Sequence, residues 1–249
     1  MAGSKRGFVL LSLPRSGTHL MCDYINSHPD LHCHGELFNV LSHYTKKVKQ
    51  PHTVANVLEH YSAGKHVGYT HHMTCQYTLD KTAWIETGVA DMLKAEPLVS
   101  FRPEQVCVVL HRWNLLRRYV SDRMALKCRA WEARTNAPGK FRRDEYDRTT
   151  VNIPLGALRT SVDMARAAQS TIGLRFQNAI HITYEQLCST PKRVMWDIYK
   201  FLGVDPGKQL NPTTTSVRFA RVPISQQVTN YEELKAQCMG TDMEPYFDE

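Results

Sequence analysis

The stretch Phe8-Val-Leu-Leu-Ser-Leu-Pro14-Arg-Ser-Gly-Thr-His19-Leu-Met21 decides the fold of this chain. Its first half is a continuous apolar run, the pattern of a strand buried on both faces of a parallel sheet. A tight loop and the start of a helix follow. Pro14 fixes the exit from the strand. Gly17 has no Cβ, so it tolerates unusual dihedrals and lets backbone approach a ligand. The helix N-terminus presents unpaired N–H groups and a partial positive charge, which together favour anions. Ser16 and Thr18 add hydroxyl donors, and Arg15 adds a planar fork suited to phosphate or sulfate oxygens. Arg15–His19 therefore reads as an anion cradle; the plainer alternative is an ordinary strand-turn-helix crossover.

The cradle is not the P-loop of nucleotide triphosphatases. That loop needs Gly, four residues, then Gly-Lys-Ser/Thr, and no lysine stands here. A P-loop-type kinase is further opposed by the lack of a clear acidic metal-binding strand.

Downstream, apolar runs predict more strands of the same kind: residues 31–35, His66–His72, Val106–Leu110 and Ala179–Glu185. Helical spacing is found over 17–27, 82–95, 113–133, 155–173 and from Pro191 to Leu202, with a final short helix Tyr231–Cys238. Thr190 is expected to cap the helix that Pro191 opens, and Gly203 to end it. Residues 135–150 read as a loop or lid, and 207–229 as irregular. In open α/β sheets ligands bind beyond the carboxyl ends of strands. Three groups are expected there: Arg15–His19, Glu36 just past the second strand, and Arg112 just past Leu110. Ser121, nine residues after Arg112, is placed to share one phosphate with it. An exposed, salt-bridged helix is the alternative for that segment, and a capping or surface role is the alternative for Glu36.

Composition bounds the function. The 249 residues suffice for one sizeable core, and 42% are hydrophobic. No apolar run approaches the ~18–20 residues of a membrane-crossing helix, and no secretory signal is expected, so a soluble cytoplasmic protein is the default. The formal charge of +7 is concentrated in Arg112, Arg117, Arg118, Arg123, Lys127, Arg129 and Arg134. This suits an anionic ligand. A basic nucleic-acid-binding module is the alternative from another class, although such an arm would be more continuous and less apolar. The seven cysteines form no Cys-x-x-Cys pair, which argues for reduced thiols. The twelve histidines include His32-Cys33-His34 and His71-His72, yet no HExxH or spaced Cys/His quartet supports a metal.

Taken together these segments resemble the sulfotransferases that use 3′-phosphoadenosine-5′-phosphosulfate (PAPS). They are most similar to bacterial carbohydrate enzymes of the nodulation-factor and lipopolysaccharide type, and more distantly to the trehalose type. Leu13–Leu20 resembles the family's 5′-phosphosulfate loop. His28-Pro29 with Gly35-Glu-Leu-Phe-Asn39 resembles the nodulation-type sequence after the first helix. Val108–Asn114 through Ser121 resembles the 3′-phosphate segment. Ile182–Leu187, Phe201–Val204 and Ile224–Leu234 resemble the later segments in order.

The resemblance implies a P-loop-like three-layer α/β sandwich, with a mainly parallel central sheet flanked by helices, as one domain over 1–249. It implies PAPS as donor, 3′,5′-ADP (PAP) as product, no metal, no nucleic-acid partner and no membrane span. A sugar, glycolipid or other small-molecule acceptor is implied, and a homodimer is one expected state. It assigns Glu36 as general base and Arg15 and His19 as catalytic. Arg15, Ser16, Gly17, Thr18 and His19 bind the 5′-phosphosulfate, and Arg112 and Ser121 bind the 3′-phosphate. Arg218 and Arg221 close over the nucleotide from the 207–249 segment. Two features depart from the family: Gly68-Tyr-Thr-His-His72 lacks a lysine that many relatives carry, and no Arg-Lys-Gly segment occurs. The second departure favours the carbohydrate branch over small-molecule sulfotransferases; sulfation of a natural-product alcohol or amine stays open as the alternative.

Overall fold

The computed structural model describes residues 8–34, 66–72, 106–129, 143–216 and 222–248. Glu36, Arg218, Arg221, the expected helix over 82–95 and residues 135–142 of the expected lid lie outside them. The chain forms two compact units. One comprises Met1–His111 and Ala167–Thr214; the other comprises Arg112–Arg166 and Thr215–Glu249. Elements are numbered in chain order over the described residues.

The first unit is a parallel sheet with helices. Its strands are β1 (Phe8–Ser12), β2 (Leu31–His34), β3 (His66–His72), β4 (Val106–His111) and β5 (Ala179–Thr183). Their order is β2-β3-β1-β4-β5, and every pair is parallel. Helix α1 (Thr18–Asn26) connects β1 toward β2. The apolar run behaves as expected of a strand covered on both sides. Phe8 and Leu10 enter a core with Met21 and Ile25 of α1, Val108, Leu110 and Ile182. Val9, Leu11, Cys107 and Val109, which alternate with them, are just as buried. Burial pushes the Cys107 thiol up to about 12, so it stays protonated and inert.

His28, directly after α1, is completely buried. Its Nε2–H donates to the Asp205 carbonyl at 3.0 Å, and its Nδ1 accepts from the Asp30 amide at 3.1 Å. Both ring nitrogens are thus used by backbone in one tautomer. The turn that ends α1 is pinned to a residue far along the chain.

The end of β5 departs from expectation. The strand stops at Thr183, and Tyr184 opens helix α5 (Tyr184–Ser189). The reason is a capping box. Thr183 Oγ1 accepts from the Gln186 amide (3.1 Å), and Gln186 Oε1 accepts from the Thr183 amide (2.9 Å). Pro191 opens α6 (Pro191–Phe201) at its first turn, as expected. Thr190 does not cap that helix with its side chain; its hydroxyl turns back to the Gln186 carbonyl at 3.2 Å. Gly203 follows at φ 76°, the left-handed conformation glycine supplies at a helix end.

The second unit is helical. Helix α2 (Leu115–Cys128) is shorter than the 113–133 expected, because Arg129 turns left-handed at φ 51°. Residues 143–148, expected within a loop, form helix α3 (Arg143–Arg148), and its Tyr146 is buried. Burying that ring gives the segment a reason to fold. Helix α4 (Leu155–Arg175) begins in this unit and runs into the first. The expected irregular 207–229 includes a short helix, α7 (Ile224–Gln227), and a bridge between Val151 and Val228. Helix α8 (Tyr231–Cys238) has the bounds the sequence predicts. Asn230 seals the neighbourhood, exchanging bonds of 3.0 Å with the Ile153 amide and carbonyl. No described helix is long and apolar enough to cross a membrane.

Candidate functional site: the carboxyl ends of β1 and β4

Sheet order selects the place. From β1 the chain leaves through α1 toward β2 on one side, whereas β5 lies on the other side of β4. Connections therefore diverge where β1 and β4 lie side by side, with Ser12 opposite Leu110. In parallel α/β sheets such a switch point opens a crevice at the strands' carboxyl ends. The Arg15–His19 loop emerges there from β1, and His111 emerges from β4.

The loop is built from unusual backbone. Arg15 has φ 67° and Gly17 has φ 92°, both left-handed. For arginine this conformation is uncommon and costs roughly 1–2 kcal/mol. Gly17 is fixed by contact as well as by dihedral: a Cβ there would run into the Tyr184 ring, 2.8 Å from Cε2. Gly17 is also the N-cap of α1, so it has no side chain to make a capping hydrogen bond. The helix begins its own bonding with Met21 N–H to the Gly17 carbonyl (3.1 Å). The amides ahead of Met21 therefore have no acceptor within the helix, and no acidic residue stands in the first turn.

Ser16 is wholly buried, and its Oγ has no hydrogen-bond partner among the described residues. Such a group costs about 1–3 kcal/mol until something bonds to it. Thr18 is buried and His19 half-buried at the start of α1. The arrangement supplies an open helix terminus, an unsatisfied hydroxyl and a close backbone approach. These are the requirements of an oxyanion or phosphate cradle.

Beyond β4, Arg112 and Ser121 are both half-buried, Arg112 directly after the strand and Ser121 within α2. Between them Asn114 caps α2, its Oδ1 accepting from the Arg117 amide at 2.8 Å. Its Nδ2 donates to the Tyr246 carbonyl at 2.9 Å. Arg118, also on α2, is buried and donates to Ser161 Oγ at 2.7 Å.

Two further features escaped the sequence reading. Tyr184 shapes the loop from a distant strand end, and no local signal announces that contact. His111 and His181 meet through Nε2 and Nδ1 at 2.8 Å. Their centroids lie 5.1 Å apart in planes inclined by 12°, so the rings meet edge to edge along the hydrogen bond. Burial, and then His181, push His111 down to about 4; burial also lowers His181. Both rings are therefore neutral near pH 7, with one N–H between them. Among the described residues no three or more His, Cys, Asp or Glu side chains gather as metal ligands.

The model of the sulfotransferase family matches residues 8–206, from the first residue of β1 to just past α6. The chain is similar in fold to a sulfotransferase from Alicyclobacillus acidocaldarius, with 17% identity, 98% of this chain and 93% of that chain covered, and a TM-score of 0.51. It also matches a sulfotransferase domain from the curacin biosynthetic pathway, at 15% identity, 98% and 89% coverage and a TM-score of 0.48. A mouse sulfotransferase complexed with PAP matches at 13% identity, 98% and 88% coverage and 0.44. No curated protein matches the chain. The family match spans β1, its anion-cradle loop and the strands beside it, and the likeness in fold extends over the parallel sheet: the chain belongs to the sulfotransferase family.

Proposed function

We propose that the chain transfers a sulfuryl group from PAPS to a hydroxyl of a carbohydrate or glycolipid, releasing PAP, and that 1–249 works as one domain. The observation that carries this reading is the β1–α1 loop, where a buried Ser16 Oγ lacks a partner among the described residues, beside a helix N-terminus with no side-chain cap. These residues fit a phosphosulfate, because each missing partner is an acceptor and the donor's oxygens are acceptors. Arg15, Ser16, Gly17, Thr18 and His19 hold the 5′-phosphosulfate. Arg112 and Ser121 hold the 3′-phosphate, and Arg218 and Arg221 close over the nucleotide.

Sulfuryl transfer parallels phosphoryl transfer: the transition state is loose and in line, and catalysis rests on positioning and charge stabilisation. Arg15 and the α1 amides take up charge on the leaving phosphate. His19 adds a ring N–H donor at the same helix end. Glu36, two residues beyond β2, removes the acceptor proton; such a base is typically worth ~10²–10⁴-fold in rate. The carbohydrate acceptor rests on the ordered resemblance and on the missing Arg-Lys-Gly segment. The scattered cysteines, all thiols among the described residues, fit a reducing, cytoplasmic setting.

The test is incubation of the full chain with donor labelled in its sulfuryl group and a panel of glycans, natural-product alcohols and amines. Label on a glycan is expected. Label confined to alcohols or amines replaces the acceptor, and no transfer with salt-dependent nucleic-acid binding overturns the reading. Glu36→Gln is expected to abolish transfer while PAP binding stays intact; near-normal turnover removes Glu36 as base.

A further inference from the structure

Cys22 lies on α1 and Cys33 on β2, and their Sγ atoms are 3.5 Å apart in the core. Both are thiols. A disulfide needs the sulfurs at about 2.0 Å, so the two must approach by roughly 1.5 Å for a bond to form. The surrounding backbone is held in place for it. Asn26, one turn after Cys22 on the same face of α1, donates from Nδ2 to the Cys33 carbonyl (3.0 Å). It also accepts the Cys33 amide at Oδ1 (2.6 Å). One side chain thus locks Cys33 to the helix that carries Cys22.

We infer that Cys22 and Cys33 are a reversible oxidation site, joined into a disulfide by peroxide. Cys22 is 7% exposed and Cys33 2%, so Cys22 is the entry point. Its sulfur attacks hydrogen peroxide, the O–O bond breaks, and Cys22 sulfenic acid and one water result. The Cys33 sulfur then displaces hydroxide from that sulfenic sulfur, giving the disulfide and a second water. In total two thiols lose two hydrogens and one peroxide becomes two waters. The bond ties the helix that begins at the Arg15–His19 loop to the strand that leads toward Glu36.

The test treats the full chain with one equivalent of hydrogen peroxide, blocks remaining thiols with N-ethylmaleimide and maps disulfides by mass spectrometry. Both cysteines fall in one tryptic peptide, Ser16–Lys46, because no Lys or Arg lies between its ends. The bond therefore registers there as a loss of two hydrogens with neither thiol alkylated. Cleavage before Asp23 and Asp30 leaves the two cysteines on separate peptides joined only by that bond. The expected result is that this linkage is the main product and that dithiothreitol reverses it. Oxidation confined to exposed Cys188, or Cys22 carried to sulfinic acid with Cys33 still a thiol, overturns the inference. In Cys33→Ala, Cys22 is expected to accumulate as a dimedone-trapped sulfenic acid; if that variant fails to fold, the map of the natural chain decides alone. None of these readouts depends on sulfuryl transfer.

Discussion

Two neighbouring strands leave one edge of the sheet and enter helices in opposite ways. After β1 the chain turns through left-handed Arg15 and Gly17, and α1 starts from a glycine N-cap with no side-chain capping bond. After β4 it passes through extended Asn114, whose carboxamide caps α2 on one side and grips the Tyr246 carbonyl on the other. One helix end is open and the other is sealed. With glycine at the N-cap the missing side-chain bond costs only about a few tenths of a kcal/mol, a small loss where a ligand supplies the acceptors. A sealed end offers an anion few backbone amides. Recognition beyond β4 then falls to side chains, which is the role given to Arg112 and Ser121.

The contrast can be broken most forcefully at Gly17. Gly17→Ala is expected to destabilise the chain by about 2–5 kcal/mol, combining a left-handed non-glycine residue with overpacking against Tyr184. Urea unfolding measures it. Adding Tyr184→Ala should return the packing share of the loss; a double variant no more stable than the sum of its parts would leave Tyr184 without a role. At the sealed end, Asn114→Ala should cost about 1–3 kcal/mol, from the lost cap and the stranded Tyr246 carbonyl. Asn114→Asp keeps the capping oxygen and should recover part of that loss, and equal melting of the two variants would put the whole effect on Tyr246.

Ser16→Ala separates binding from folding. It removes a buried hydroxyl with no described partner, so stability should rise, by up to about 1–3 kcal/mol. Affinity for PAP, read by calorimetry, should fall by roughly three- to tenfold, the worth of one hydrogen bond. Unchanged affinity would mean that the open end does not receive the 5′-phosphate.

The smallest effect concerns pH and the end of β4, because exposed His181 lets water screen the histidine pair. Burial and the neighbouring His181 hold the folded His111 down to about 4, against the ordinary 6.5 of an imidazole. Between these values the unfolded chain binds more protons. Stability therefore holds above about pH 6.5 and declines as pH falls toward 4. Urea midpoints across that range should drop less steeply in His111→Gln; parallel curves would remove the pair as the cause.

The parts legible in the sequence were those with local causes. Apolar runs marked β1 and β4, helical spacing marked α1 and α4, and α8 fell on its predicted bounds. Gly17 was recognisable as a loop glycine because its neighbours demanded a turn. Its contact with Tyr184 was not, since it joins residues that only the sheet brings together. The early end of β5 had a readable cause, the Thr183-x-x-Gln186 box, masked by the apolar run before it. The same physics explains Thr190, whose hydroxyl found a carbonyl behind it before an amide ahead. Of the candidate site, the cradle and Arg112 stand where the strand ends predicted, whereas Glu36, Arg218 and Arg221 lie outside the described residues.

The buried imidazole of His28 carries one more consequence, for synthesis. Its partners are the nearby Asp30 amide and the distant Asp205 carbonyl, so the pocket around it cannot close until residue 205 has left the ribosome. The central pairing of β1 with β4 likewise waits for Val106–His111. Contacts so remote in sequence make the nascent chain slow to commit. A ribosome stalled before Asp205 would hold a chain with this clasp still open.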